Sequence, residues 1–113
     1  MQASAKHKFA RVSPTKVRPV ARLIAQRPLP EALDTLRVNS QRAARLIEKV
    51  VKSAWANAIE AGGRLDEADF FIESARVDQG LTIKRWRPGA RGRSKPIRKR
   101  GCHIIVVLSD QGR

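Results

Sequence analysis

An eighteen-residue run, 83–100, holds the side chains of this sequence that are best suited to a defined chemistry. Its sequence is IKRWRPGARGRSKPIRKR, in which nine residues are Lys or Arg and none is Asp or Glu. Arg has a planar fork that bridges phosphate oxygens and stacks on bases, whereas Lys acts as a point charge. The run therefore predicts contact with the phosphates of a nucleic acid. Its nine cations are Lys84, Arg85, Arg87, Arg91, Arg93, Lys95, Arg98, Lys99 and Arg100.

Trp86 lies among these cations and has two interpretations. Its indole can stack on a base, or it can pack across a hairpin on Ile97. The sequence leaves both open. The whole run can also be interpreted as a solvated Arg/Gly-rich linker, but an apolar strand pattern follows it immediately and needs a partner.

Charge is distributed unevenly along the 113 residues, whose formal net charge is +14. Residues 1–80 hold 14 basic and 9 acidic side chains, while residues 81–113 hold 10 basic and 1 acidic. Like charges so crowded repel one another unless counterions or a polyanion neutralise them. Nucleic acid is the commonest such polyanion, and an anionic membrane is the rival.

The sequence has few residues that could form a catalytic or metal-binding site. His7 and His103 are the only histidines, and Cys102 is the only cysteine, so the set falls short of a typical zinc site. The glycines of PGARGR lack the Gly-Lys-Ser/Thr of a phosphate-binding loop. We therefore predict no catalytic residue, no metal, no cofactor and no small-molecule substrate.

Length and composition predict one domain with a modest core. The apolar fraction is 42%, and the sequence has no run of 18 apolar residues that would span a membrane. The segment MQASAKHKF lacks the apolar centre of a signal peptide, and a lone cysteine gives no disulfide framework. We expect a cytosolic protein or its organellar equivalent.

Three helices are predicted to position the basic run. The first begins at the cap Ser13 and at Pro14 and reaches about Gln26. A short second helix begins at Pro30, and the third covers about 41–61.

The third helix has the clearest pattern, with Ser40 as its expected cap and Trp55 at the edge of its apolar face. A narrow basic stripe lies on the opposite face. It is either the solvent-exposed side of the helix or a surface that contacts nucleic acid. The apolar face comprises Ala43, Ile47, Val50, Val51, Ala54 and Ala58, and the stripe comprises Arg42, Arg45, Lys49 and Lys52.

Strands are predicted at 5–12, 70–77 and 103–108. A 25-residue loop between the last two would be unusual in a small domain. A long hairpin removes the difficulty, with its turn near Pro88 and Gly92 and arms of some nine residues that reach roughly 30 Å. Such a hairpin has no core of its own, so we expect Lys84–Arg100 to be mobile when free and ordered when bound.

RNA is favoured over DNA because no recognition helix stands out and the basic residues lie on a hairpin. A DNA-binding architectural protein is the alternative. A nucleic-acid enzyme is a third hypothesis, but Asp78 and Asp110 are the only acids that flank the basic run.

Four segments of the sequence carry a resemblance to a known family. They are SPTKVRPVARLI at 13–24, SAWANA at 53–58, TIKRWRPGARGRSKPIRKR at 82–100 and HIIVVLSD at 103–110. In this order and spacing, the chain resembles the bacterial-type family of large ribosomal subunit protein twenty-two. The third segment is the most specific of the four.

The resemblance implies an α+β fold, with three helices packed on a small three-stranded antiparallel sheet and a long protruding basic β-hairpin. It implies a single domain over 1–113, with a globular part at about 1–80 and 103–113 and a hairpin at about 81–102. It also implies a non-enzymatic constituent of the large subunit in the cytoplasm, which binds ribosomal RNA and aids subunit assembly. The hairpin tip would line the polypeptide exit tunnel, beside ribosomal protein four and the nascent polypeptide.

The family motifs also assign roles to individual residues. Lys84, Arg85, Arg87, Arg98, Lys99 and Arg100 would contact phosphates along the hairpin, and Lys16 and Arg18 would touch RNA from the first helix. The tip would comprise Gly89, Ala90, Arg91, Gly92 and Arg93. The chain departs from the family pattern at Gly89, where a basic residue is frequent, at Pro19, where an aliphatic one is usual, and at Gly101-Cys102.

Overall fold

A computed structural model of the chain describes residues 2–62, 66–88, 92 and 94–110, with the backbone alone for 67, 81–85, 87–88 and 94–99. Three helices and a three-stranded antiparallel sheet form an α+β fold, which confirms the predicted class. The elements in chain order are β1 (Gln2–Ala10), α1 (Pro14–Ile24), α2 (Leu29–Val38), α3 (Arg42–Glu60), a 3-10 turn (Glu67–Asp69), β2 (Phe71–Pro88) and β3 (Ser94–Ser109).

The sheet has the order β1-β3-β2, so β3 is its central strand. β1 pairs with β3 from Gln2↔Ser109 to Ala10↔Cys102. β2 pairs with the same strand over a longer distance, as far as Pro88↔Ser94. The described sheet therefore has a three-stranded part and, beyond Cys102, a two-stranded part. We call the two-stranded part, residues 82–88 and 94–100, the arm.

The arm begins at an irregularity in the strand pairing. The register of β2 against β3 shifts between Gln79 and Thr82. A Cβ atom on Gly80 would lie 3.2 Å from the backbone nitrogen of Cys102 and 3.2 Å from the carbonyl carbon of Gly101. Such contacts are tighter than most Cβ atoms make, so a larger residue at this position would require a small shift of the neighbouring backbone.

The core lies between the helices and the three-stranded part of the sheet. Alternate residues of β3, namely Ile104, Val106 and Leu108, are almost completely buried. The apolar face of α3 that the sequence predicted packs in the same cluster, and Trp55 lies at its edge against Phe70 with the ring centroids 5.1 Å apart. This arrangement removes apolar side chains of every helix from water, which is the main stabilising contribution to such a domain.

Helix boundaries differ from prediction by a few residues. Gln41, not Ser40, is the N-cap of α3, and its backbone N–H donates to Asn39 Oδ1 at 2.9 Å. Ser13 is the N-cap of α1 but makes no side-chain capping bond there. α1 also ends two residues early, because its C-cap Ala25 has a ψ of 135°, outside the helical range, and Gln26 then adopts a φ of 64°. Among the described residues, the helices are too short or too polar to cross a membrane.

The first strand occupies Gln2–Ala10 instead of the predicted 5–12. The buried residues at the start of this strand are Ala3 and Ala5, which are small. Their apolar pattern was too weak for the sequence to predict a strand at residues 2–4. At the other end the pairing with β3 is irregular between His7 and Ala10, and Phe9 has a φ of 60°. That conformation is uncommon for a bulky residue and ends the regular strand.

The molecule is elongated, with principal dimensions of 63 × 25 × 19 Å. Its radius of gyration is 17.1 Å, whereas a compact chain of this length would have about 13 Å. The seven cross-strand pairs of the arm account for about 23 Å of strand length.

Candidate nucleic-acid interface

The register of the arm brings basic residues of the two strands opposite each other. Lys84 pairs with Arg98, and Arg87 pairs with Lys95. Like charges at directly opposite positions of an antiparallel pair destabilise that pair. The free arm therefore carries a repulsion that a polyanion between or beside the strands would relieve.

The Trp86 side chain belongs to the arm and is 68% exposed. The register pairs Trp86 with Pro96, and it pairs Ile97 with Arg85. Trp86 and Ile97 are therefore not directly opposite each other in the strand pairing of the arm. The interpretation of Trp86 as a cross-strand partner of Ile97 is therefore wrong, and its open indole has the geometry for stacking.

The predicted tip lies mostly outside the described residues. Gly89, Ala90, Arg91 and Arg93 belong to that undescribed part. Gly92 is exposed and has a φ of 74°, which glycine adopts without strain. The role assigned to these five residues stays a prediction.

The remaining predicted RNA contacts fall into two groups. The backbone alone is described for Lys84, Arg85, Arg87, Lys95, Arg98 and Lys99, so their register is known but not their contacts. Arg100, Lys16 and Arg18 are exposed. The Arg18 Nη2 also donates to the carbonyl of Val77 at 3.4 Å, and this bond ties α1 to β2 just before the arm begins.

The residues weighed for catalysis have packing roles instead. The Phe9 backbone N–H donates to His103 Nδ1 at 3.0 Å, and the two rings meet edge-to-face with centroids 5.0 Å apart. Cys102 is fully buried, and burial raises the pKa of its thiol against a smaller lowering by the Arg18 charge. Within the described ranges, no cluster of three or more His, Cys, Asp or Glu could hold a metal ion.

The basic stripe on α3 is only partly available to a ligand. Arg45 donates to backbone carbonyls where α2 ends, including that of Asn39 at 2.6 Å, and to Glu48 at 3.3 Å. Lys52 Nζ lies 3.2 Å from the other oxygen of Glu48. Cations at the carboxyl end of a helix stabilise it, so Arg45 has a structural role that its position in the sequence did not reveal.

Comparison with known proteins places these features in a family. Residues 5–109 match the family described as ribosomal protein L22p/L17e. The large ribosomal subunit protein uL22 of Pelotomaculum thermopropionicum is 47% identical over 111 residues, which cover 98% of this chain and 97% of the relative. The uL22 protein of Syntrophotalea carbinolica is 44% identical, and the match covers 98% of this chain and 100% of the relative. The uL22 protein of Myxococcus xanthus is 40% identical, and the match covers 97% of each.

Proposed function

Since the chain belongs to the ribosomal protein L22p/L17e family, it is a structural protein of the large ribosomal subunit and not an enzyme, and we propose that its arm binds the ribosomal RNA. The observation that carries the proposal is the register of the arm. Two pairs of basic residues face each other on two strands that have no third strand beside them in the described sheet. Such a ribbon is poorly suited to stand alone and well suited to lie among phosphates.

The mechanism is charge neutralisation. The arm supplies cations at spacings set by the strands, so RNA segments that repel each other can approach from its two faces. The RNA in return removes the repulsion between the strands and gives the arm its order. By holding segments together in this way, the arm aids assembly of the subunit.

Trp86 adds a contact of a different kind. Its exposed ring, between Arg85 and Arg87 in the sequence, offers an apolar surface to an unpaired base. Stacking of this type tolerates any base, because every base has a flat face. The arm thus combines phosphate contacts with one stacking surface.

The tip, residues 89–93, is proposed to line the polypeptide exit tunnel, facing ribosomal protein four and the nascent chain. The support is the family resemblance of the motif PGARGR, which falls in the sequence between the two strands of the arm, next to the pair Pro88↔Ser94. A crosslinker on Ala90→Cys tests it, since the native Cys102 is buried and leaves the new thiol as the reactive one. We expect capture of a stalled nascent chain, and none from the exposed control Val38→Cys on α2. Equal capture from both positions would refute the tip assignment.

Salt dependence tests the mechanism of RNA binding. If about eight phosphates are neutralised, the logarithm of affinity should fall against the logarithm of salt with a slope of about −6 to −7. An affinity that did not change with salt would contradict charge neutralisation. Equal affinity for duplex DNA and for large-subunit RNA at physiological salt would favour the alternative, a DNA-binding architectural protein.

Sedimentation tests membership of the subunit for this chain directly. In a sucrose gradient of cell extract, we expect the chain to migrate with the large subunit and to stay there after a wash at about 0.5 M salt, since many contacts must break together. Migration as free protein at the top of the gradient would refute the proposal.

A further inference from the structure

A groove of about 590 Å³ lies where the beginnings of α1 and α3 come together. Three basic residues from three different segments line it, namely Arg11, Lys16 and Arg42. Ser13 and Gln41 add polar groups, and none of the lining residues, all of which lie in the described part of the chain, is acidic. The fold thus gathers three cations that are separated by up to 31 positions in the sequence.

The three cations of the groove are not neutralised by the protein itself. All three side chains are exposed, and none of them forms an ion pair with a carboxylate among the described residues. Three like charges around one concavity repel each other, so their arrangement stabilises the fold little and raises the local positive potential.

Three other surface arginines show a contrast, because each has a carboxylate within ion-pair distance. They are Arg27 with Glu31 at 2.6 Å, Arg37 with Asp34 at 3.7 Å, and Arg76 with Asp78 at 3.4 Å. The cations of the groove therefore differ from these three arginines in having no carboxylate partner among the described residues.

Two helix starts strengthen the positive potential. Ser13 and Gln41 are the N-caps of α1 and α3, and neither makes a side-chain capping bond. The first turn of each helix has no acidic residue. The positive ends of both helices therefore lie beside the same groove as the three cations, and they add to its positive potential.

The groove lies close to the base of the arm. Ala10, which precedes Arg11, pairs with Cys102 at the place where β1 stops. A phosphate chain that runs along the arm toward the core therefore reaches Arg11 next. We propose that the groove binds the phosphodiester backbone of a segment of ribosomal RNA that passes the base of the arm. This rests on the proposed function, and it adds Arg11 and Arg42 to Lys16 as one binding site.

A matched pair of triple variants tests the groove. The groove variant is R11Q/K16Q/R42Q, and the control R27Q/R37Q/R76Q removes three arginines that are ion-paired in the domain. Each lowers the formal charge of the full chain from +14 by three. Affinity for transcribed large-subunit RNA is measured over about 50–300 mM salt. We expect the salt slope to become shallower by about two to three for the groove variant and to change by less than one for the control.

A third variant, R85Q/R87Q/R98Q, separates this inference from the proposed function. If the arm variant loses affinity while the groove variant matches the control, the groove proposal is overturned and the arm proposal stands. If the groove variant alone loses affinity, the groove stands and the arm proposal fails. Thermal melts of all variants establish that each is folded.

Acylation of Lys16 in the unaltered protein provides a measurement that needs no variant. We expect the Lys16 amine to react in the free protein and to be protected in the assembled large subunit. Equal reactivity in both states would overturn the groove site.

Discussion

The strand β3 belongs to two regions that are held in different ways. From Cys102 onward it lies between β1 and β2, and its alternate residues are buried under the helices. From Ser94 to Arg100 it pairs with β2 alone within the described sheet. One continuous strand thus passes from a region that the chain stabilises by itself to a region whose partners we propose to be RNA.

The energetic balance of the two regions follows from this difference. Full burial of each Ile, Val or Leu of the core contributes about 1.5–3 kcal/mol to the free energy of unfolding. The arm gains backbone hydrogen bonds, each of which contributes little in net terms, and its opposed like charges reduce that gain. A two-stranded hairpin without a core is marginal in water, so we expect the arm to need its ligand for order.

The largest effect is expected inside the core. Ile47 is fully buried on α3, and Ile59 on the same helix is 40% exposed. We expect Ile47→Ala to lower the free energy of unfolding by about 2–5 kcal/mol, because it leaves a cavity. The same change at Ile59 should cost less than about 1 kcal/mol. Denaturant unfolding measures both, and equal losses would contradict the assignment of the core.

The core and the arm each contain one tryptophan, so the same substitution can be compared in the two regions. Trp55 packs against Phe70 in the core, whereas Trp86 is exposed on the arm. We expect Trp86→Ala to weaken RNA binding by about 1–3 kcal/mol with an unchanged melt, because a stacking surface is lost. Trp55→Ala should lower stability instead. Filter binding and thermal melts measure the pair. If Trp86→Ala left affinity unchanged, the stacking role would be wrong.

Reversal of one arm charge should move order and affinity in opposite directions. In Arg98→Glu, an acid would face Lys84 across the arm. Opposite charges at such a position stabilise the strand pair by about 0.2–1 kcal/mol. We expect slower amide exchange in the free arm together with weaker RNA binding. A variant with both slower amide exchange in the free arm and tighter RNA binding would contradict the view that the charges that bind RNA also destabilise the free arm.

The smallest effect concerns the junction of the two regions. Burial raises the pKa of the Cys102 thiol, with a partial opposing effect of Arg18. The folded state then keeps its proton when the unfolded state has lost it, so stability should be constant below the ordinary thiol pKa of about 9 and should fall as pH rises above it. Cys102→Ser should remove the part of the decrease in the free energy of unfolding at alkaline pH that is due to the thiol. Denaturant unfolding at pH 8 and pH 10 measures the difference, and an equal alkaline loss in both proteins would exclude the thiol.

The predictable parts of the fold were those with a strong local pattern. The apolar face of α3 repeats over more than four turns, and helical periodicity alone identified it. The strand HIIVVL is rich in β-branched residues and also needed no tertiary information. By contrast, the capping position of α3 was wrong by one residue, because Asn39 bonds to the N–H of Gln41 and no local rule distinguishes Ser40 from its neighbour.

The unpredictable parts of the site depend on contacts between distant segments. The sequence shows the cations of the arm as one run, but their pairing depends on the register shift beside Gly80. Arg45 belongs to the basic stripe in the sequence, yet its guanidinium donates hydrogen bonds to backbone carbonyls at the end of α2. Arg11 gave no signal at all, since Arg42 approaches it only when α1 and α3 pack together.

Amide hydrogen exchange on the full chain, free and bound to large-subunit RNA, tests the central claim most directly. It compares two halves of β3, residues 95–100 in the arm and 104–108 in the core. We predict strong protection of 104–108 in both states, and weak protection of 95–100 that rises on RNA binding. Equal protection of the two halves in the free protein would contradict the claim that the arm takes its order from RNA.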